Sequence, residues 1–267
     1  MTIANGRFIL LHILTLIGAL YFGVSPISFA FFVFFYYFRT LAVAISYHRF
    51  FSHRSFKSNR FIQFVLGCWG ASAGQRGPLW WASLHRHHHQ FSDQKNDIHS
   101  PKHQTFWDSH VGWVLKPDSR KLLKVDYVQD LMKFPELLWL EKYSVILFLF
   151  SLISLLPLTY FFRMMDPDLS YGQMFIWAGL MSFLASSHAT LTVNSVFHMA
   201  KNKEEKAGDY SLNLHWAWLF IMGENLHNNH HCQPNLCHNL RKKNDFDPIY
   251  LFLVLAQKCK LISHLKC

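Results

Sequence analysis

The chain has 267 residues, 51% of them hydrophobic and 17% aromatic, and only 16% charged, against roughly 25% in an ordinary soluble domain. This composition excludes a disordered chain, which needs low hydrophobicity, and argues against a simple soluble domain because the apolar residues are clustered. The formal net charge is +10 with 18 histidines counted as neutral; no basic run alternates with aromatics in a recognisable module, so nucleic acid is set aside as a partner and a lipid bilayer is expected instead.

Four apolar segments come close to or reach the roughly 20 residues that span a bilayer. Residues 8–24 form the first, interrupted by His12, and residues 27–47 the second, with Arg39 near its end. Ser25-Pro26 suits a tight hairpin between them. A fifth stretch, residues 61–73, is shorter and carries Gly67, Gly70 and Ser72, so it is expected to be buried or to lie at the interface rather than to span. Residues 143–162 and 173–193 form the second pair of spans, joined by a hairpin at 164–172. Arg39 falls inside a span, where a charge reads either as functional or as snorkelling to the near face.

Charge placement sets the expected orientation. Residues 48–142 hold fourteen Lys and Arg, residues 194–267 hold nine, and the hairpin stretches 25–26 and 163–172 hold one, Arg163. The positive-inside rule then puts both long polar regions, and both termini, in the cytoplasm. The stretch 201–210 reads as an exposed, solvated loop. The five cysteines form no C-x-x-C pair and are odd in number, which argues against a disulfide framework.

Ten of the histidines fall in four clusters at or beyond the cytoplasmic ends of the spans: His48 and His53; His85, His87, His88 and His89; His198; and His227, His230 and His231. The H-x-x-H-H spacing at 85–89 and at 227–231 puts three imidazoles on one helical face, able to converge on one metal or to straddle two. A lone histidine is most often a satisfied structural residue, but two such clusters in one chain are not a chance pattern. His87 lies off the pattern, leaving nine candidate ligands, more than one zinc ion takes, and a two-metal site absorbs them at four or five each. Imidazole ligands suit zinc, copper, iron or nickel alike.

At these residues the chain resembles the membrane fatty-acid desaturases, specifically the bacterial form of the acyl-CoA (stearoyl-CoA-like) delta-9 group. The matching strings are HRFFSHRSFK at 48–57, GPLWWASLHRHHHQFSD at 77–93, SHVGW at 109–113, NSVFH at 194–198 and GENLHNNHHCQP at 223–234. The resemblance implies an all-α integral membrane protein made of one domain, with four transmembrane helices in two hairpins. A cytosolic helical cap from 48–142 and 194–267 would hold a non-haem di-iron site. It also implies the metal ligands His48, His53, His85, His88, His89, His198, His227, His230 and His231, with Asn194 beside one metal through a water. Residence in a bacterial inner membrane is expected.

An unactivated methylene is beyond acid–base chemistry and needs an oxidant made from dioxygen and two external electrons, with the protein supplying orientation and a dry site. The expected product is a cis double bond in a long saturated acyl chain. Trp80 and Trp81, one turn before His85, are candidates to line the acyl tunnel. Asp93, Asp97, His99, His110 and Glu224 are candidates to orient the ligating imidazoles. His12, His103, His188, His215, His238 and His264 take a structural reading. Arg86 and Lys116 are candidate phosphate contacts. Ser83 and Leu84 stand where the animal enzymes carry Arg-Asp near the CoA head group, which leaves the carrier open among CoA, a carrier protein and an intact lipid. The sequence has no G-x-G-x-x-G fingerprint, so electrons are expected from a separate ferredoxin or cytochrome b5-like partner. The competing readings are a lipid hydroxylase or ketolase of the same superfamily, told apart by product, and a His-rich metal transporter. A transporter would place its ligands inside the spans.

Overall fold

A computed structural model describes residues 3–116, 119–203 and 207–267, and among these every element is helical apart from two isolated β-bridges. Residues 204–206 of the expected solvated loop lie outside the described residues. Helix α1 covers Ile3–Phe22 and α2 covers Pro26–Ser52. The turn between them is set by Gly23 at φ +66° and by Ser25, whose side chain and that of Ser28 cap each other's backbone ahead of Pro26.

Two shorter helices follow, α3 (Arg60–Ser72) and α4 (Pro78–Phe91), and then the long helices α5 (Pro135–Arg163) and α6 (Tyr171–His198). Of these elements, α2, α5 and α6 are long and apolar enough to cross a membrane. The apolar part of α1, Gly6–Phe22, falls short of that length, although it exposes Leu10, Leu14, Ile17 and Leu20 as a lipid-facing helix would. Both α5 and α6 overrun the expected spans. The extra two turns or so of α5 carry Glu136 and Glu141, which break the apolar pattern but find partners in Arg60 and in the start of α4.

Helix α3 is 13 residues long, about 20 Å at 1.5 Å per residue, too short for a bilayer core of about 30 Å. It lies against α5 and α2, with Gly67 facing Leu140 and Gly70 facing the ring of Tyr47; a Cβ at Gly70 would run into that ring. The core beneath the site gathers Tyr47 and Phe51 from α2, Leu66 from α3, Leu79 from α4, and Leu137 and Leu140 from α5.

Arg39 does not snorkel. It is 1% exposed, and its guanidinium donates to the Ser72 carbonyl at 2.5 Å and to Ser182 Oγ at 3.3 Å, between the rings of Phe35 and Phe148. It therefore ties α2 to the end of α3 and to α6 inside the bundle.

Candidate metal centre

Four elements deliver the histidines to one end of the bundle. From Ala42 to Ser52, α2 widens into a π-helix, all eleven residues of which are buried. In an α-helix, residues five apart point about 140° away from each other. In the π-helix the i→i+5 bond stacks them, and the His53 N–H donates to the His48 carbonyl at 3.1 Å. The H-x-x-x-x-H spacing is thus π-helical. Helix α4 carries His85, His88 and His89 on one face, α6 ends in a 3-10 turn at His198, and a short helix α7 (His227–Cys232) carries His227, His230 and His231.

The nine imidazoles form two adjoining groups. His48, His53, His85, His89 and His230 make one, and His88, His198, His227 and His231 the other; within each, the ligand atoms lie within 4.8 Å of one another. Nε2 atoms meet at 3.0 Å between His48 and His230, 2.8 Å between His53 and His85, 3.0 Å between His85 and His89, 3.0 Å between His89 and His230, and 3.0 Å between His198 and His227. Two nitrogens bound at right angles with bonds of about 2.1 Å lie about 3.0 Å apart. The rings of His89 and His231 stack at 4.4 Å and join the groups.

Carboxylates hold the outer nitrogens of four rings. His48 Nδ1 lies 3.0 Å from Glu224, His88 Nδ1 3.0 Å from Asp97, His198 Nδ1 2.8 Å from Asp93 and His231 Nδ1 2.5 Å from Asp209. A carboxylate behind an imidazole fixes its tautomer and turns the other nitrogen inward. Asp93 sits at φ +55°, which frees Oδ2 to take both His198 and the Tyr210 N–H and Oδ1 to take Ser100. Asp209 escapes a reading of the sequence because it ends a charged run that looks solvated, yet it is 2% exposed. Only its pairing across the fold with His231 marks it.

Burial, then repulsion from neighbouring rings, pushes His53, His85, His89, His227 and His230 well below the usual histidine range, so they are neutral and offer lone pairs. Burial pushes His231 down to about 4 against the pull of Asp209. Burial also works against charge on His88, but there Asp97 prevails and the imidazole is raised.

These residues fit a pair of metal ions. His231 Nε2 is buried with no hydrogen-bond partner while Asp209 holds its other nitrogen, so it aims a lone pair into the second group. Asp93, Asp97, Asp209 and Glu224 carry four negative charges beside nine imidazoles; Arg49, which pairs with Asp247 at 2.9 Å, also lies 3.6 Å from Glu224 and offsets part of that charge. The sulfur of Cys232 belongs to neither group.

The remaining candidates separate. His87 is buried against Phe91 and Tyr127, away from both groups. His99 packs on His88 at 4.4 Å with Nδ1 3.6 Å from Asp97. The sequence points to His110 as a residue that orients a ligand; instead it contacts Ser195 and His188, which draws His188 and His12 into one string. The structure does not bring Arg86 or Lys116 to the site. Arg86 donates to the Phe51, Ser52 and Tyr127 carbonyls and to Asp130, and exposed Lys116 lines a shallow hollow with Lys102 and Asp108.

Trp80 and Trp81 both line a cavity of about 510 Å³ that reaches His85, His99 and Asn194. A smaller cavity of about 50 Å³ adjoins it, sharing Trp81, His85, Thr190 and Asn194; His48, His88 and His227 line it, as do Thr40, Val43, Ala44, Ala189 and Val193. The two metal-capable groups therefore face a largely apolar passage, with Trp81 stacked on His85 at 4.9 Å in the wall that the two cavities share.

Comparison with known proteins agrees with this arrangement. The family model for fatty acid desaturases matches residues 24–244. The chain is 33% identical over 224 residues to delta-9 acyl-lipid desaturase 2 of Arabidopsis thaliana, covering 82% of this chain and 68% of that protein. It is 27% identical over 231 residues to a probable acyl-CoA desaturase of Schizosaccharomyces pombe (84% and 46%), and 32% identical over 192 residues to the sn-1 stearoyl-lipid 9-desaturase of Anabaena variabilis (72% and 66%). The chain thus spans about half to two thirds of the length of these relatives. With all four histidine clusters inside the matched span, this integral membrane protein belongs to the fatty acid desaturase family.

Proposed function

We propose that the protein desaturates a long saturated acyl chain, placing a cis double bond at the delta-9 position, with dioxygen as co-substrate and two irons as cofactor. The observation that carries this reading is the apolar passage running past both imidazole groups. His48, His53, His85, His89 and His230 would hold one iron, and His88, His198, His227 and His231 the other, with Asn194 beside them through a water. When bound, the metal pair supplies the dioxygen-dependent oxidising power that an unactivated methylene requires.

The chain's own residues supply the rest. Trp81, Thr190 and Asn194 narrow the passage at His85, so one C–C bond of a threaded chain is held against the site while its neighbours are not. The walls exclude water. Asp93, Asp97, Asp209 and Glu224 keep four imidazoles in one tautomer, each with its inner nitrogen turned to the site.

The same reading has α1 as a fourth span, with the metal centre on the cytoplasmic side. A separate ferredoxin or cytochrome b5-like protein would deliver two electrons per turnover. The carrier is acyl-CoA or another acyl ester. The test is fatty-acid profiling by gas chromatography–mass spectrometry, with double-bond location, in cells expressing the wild type or His88→Ala. A new cis-monoene with the wild type alone is expected. A hydroxylated or keto product, or no product from folded protein supplied with an electron donor, would overturn the reading.

A further inference from the structure

The two ends of the 510 Å³ cavity differ in kind. Its deep wall, with Trp80, Leu84, Val111 and Trp113, is buried. Its rim comes from the apolar helices: Phe8 of α1, Val145 and Phe148 of α5, and Phe183 of α6. Val145 is 56% exposed and is followed along α5 by exposed Ile146 and Leu149, so this part of the rim belongs to the face that α5 turns to lipid. Lys142, also exposed, stands one turn earlier, where α5 passes from its polar start into its apolar run. Arg76 adds a second cation to this edge, its guanidinium 4.7 Å above the Trp80 ring and bonded to Ser119, while Glu141, also on the cavity wall, accepts from the Leu79 and Trp80 N–H groups.

A string of three imidazoles fixes α1 at this opening. His12 Nδ1 lies 2.8 Å from the Phe8 carbonyl, His12 Nε2 lies 2.9 Å from His188 Nε2, and His188 Nδ1 lies 2.9 Å from His110 Nε2. A carbonyl only accepts, so with neutral rings His12 donates to Phe8 and accepts from His188, which in turn accepts from His110. The string joins α1 to α6 and to the segment ahead of Trp113. Phe8 packs 4.3 Å from His12 and 5.8 Å from His188, so the same contacts hold its ring at the rim.

We infer that the cavity opens sideways between α1 and α5 at the membrane interface. Its substrate is then an acyl chain still esterified to a phosphate-bearing membrane lipid, which slides in from the bilayer with its head group against Lys142 and Arg76. The inference rests on the acyl-desaturase reading and names the carrier for it. A soluble thioester would have to bring its chain to a rim that faces hydrocarbon, whereas a lipid already has its chain there. The phosphates of CoA share the head-group chemistry, so the experiment carries both sources.

The full chain is placed in nanodiscs of phosphatidylcholine and phosphatidylglycerol. It is exposed either to phosphatidylglycerol bearing a photoactivatable stearoyl chain, with the diazirine in the carboxyl-side half of the chain, or to stearoyl-CoA labelled in the same way. Crosslinks are mapped by peptide mass spectrometry. The lipid probe is expected to mark the deep wall around Trp80–Leu84 and Val111–Trp113. Val145→Trp, which adds bulk on a lipid-facing surface, is expected to lose most of that labelling while labelling of the outer face of α1 persists. Deep-wall labelling by the CoA probe alone, labelling indifferent to Val145→Trp, or lipid labelling confined to outer faces would overturn the inference. The readout needs no turnover, so deep labelling by lipid without a desaturated product would count against the desaturase reading and leave the entry route standing.

Discussion

Replacing Asp209 by asparagine changes one atom in a residue 2% exposed, and the surrounding donors determine the outcome. Oδ2 takes the His231 Nδ1–H at 2.5 Å and Ser92 Oγ at 2.8 Å, while Oδ1 takes the N–H of Ser211 at 3.0 Å and its Oγ at 2.6 Å. Asparagine keeps one accepting oxygen, so its NH₂ must confront donors on one side. The backbone N–H of Ser211 cannot rotate away, which leaves the NH₂ toward His231. Hydrogen bonds to a charged group contribute about 1.5–3 kcal/mol, and loss of such an outer partner lowers metal affinity by about 10–100-fold, or about 1.4–2.7 kcal/mol. Metal per chain, measured by mass spectrometry across a chelator series, should therefore fall at lower chelator in Asp209→Asn than in the wild type. Asp168→Asn, an exposed carboxylate in the α5–α6 hairpin, should leave the curve in place. Superimposable curves for Asp209→Asn and the wild type would refute the reasoning.

Leucine at Ala44 or Ala189 fills the 50 Å³ end of the passage. If each methylene shut out costs about 0.8 kcal/mol, two of them shift preference toward the shorter acyl chain by about tenfold, which the fatty-acid profile reads directly. Gly77→Ala would drive a Cβ into Glu141 Oε2 and set it 2.6 Å from the Glu141 Cα; because that second contact is backbone, a loss of about 1–3 kcal/mol is expected, seen as a lower melting temperature. In metal-stripped protein, His53, His85, His89, His227 and His230 resist protonation when folded but take up protons below about pH 6.5 when unfolded, so stability should fall on going from about pH 7.5 to about 5.5. His88, raised by Asp97, opposes the trend. A melting temperature that stays level or rises across that range would contradict the neutral-imidazole picture.

Six of the nine rings are legible from spacing alone: i, i+3 and i+4 on α4 and α7 need no knowledge of the fold, whereas His198, a single histidine, comes only with the resemblance. His48 and His53 are legible only as a pair, since a π-helix has no periodicity signature over eleven residues. Asp209 and the part of Glu141 are hidden, each acting on a partner far along the chain and looking like an ordinary surface carboxylate. Arg86 misleads for the converse reason. A cation beside a histidine cluster suits a phosphate, but Asp130 and three backbone carbonyls already occupy its donors. Hydropathy finds the three helices long enough to span but not the overrun of α5, because paired charges at a helix end look like a loop.

The two imidazole groups also differ in when their members come into existence during synthesis. Four of the five rings in the first group, His48, His53, His85 and His89, belong to the first third of the chain, and α4, which carries two of them, is capped by Glu141 of α5 through the N–H groups of Leu79 and Trp80. Once α5 has left the ribosome, that group lacks only His230. The second group has His88 alone at that stage and waits for His198, His227 and His231. Biosynthesis therefore presents a nascent chain with one nearly finished nest of nitrogens and one barely begun.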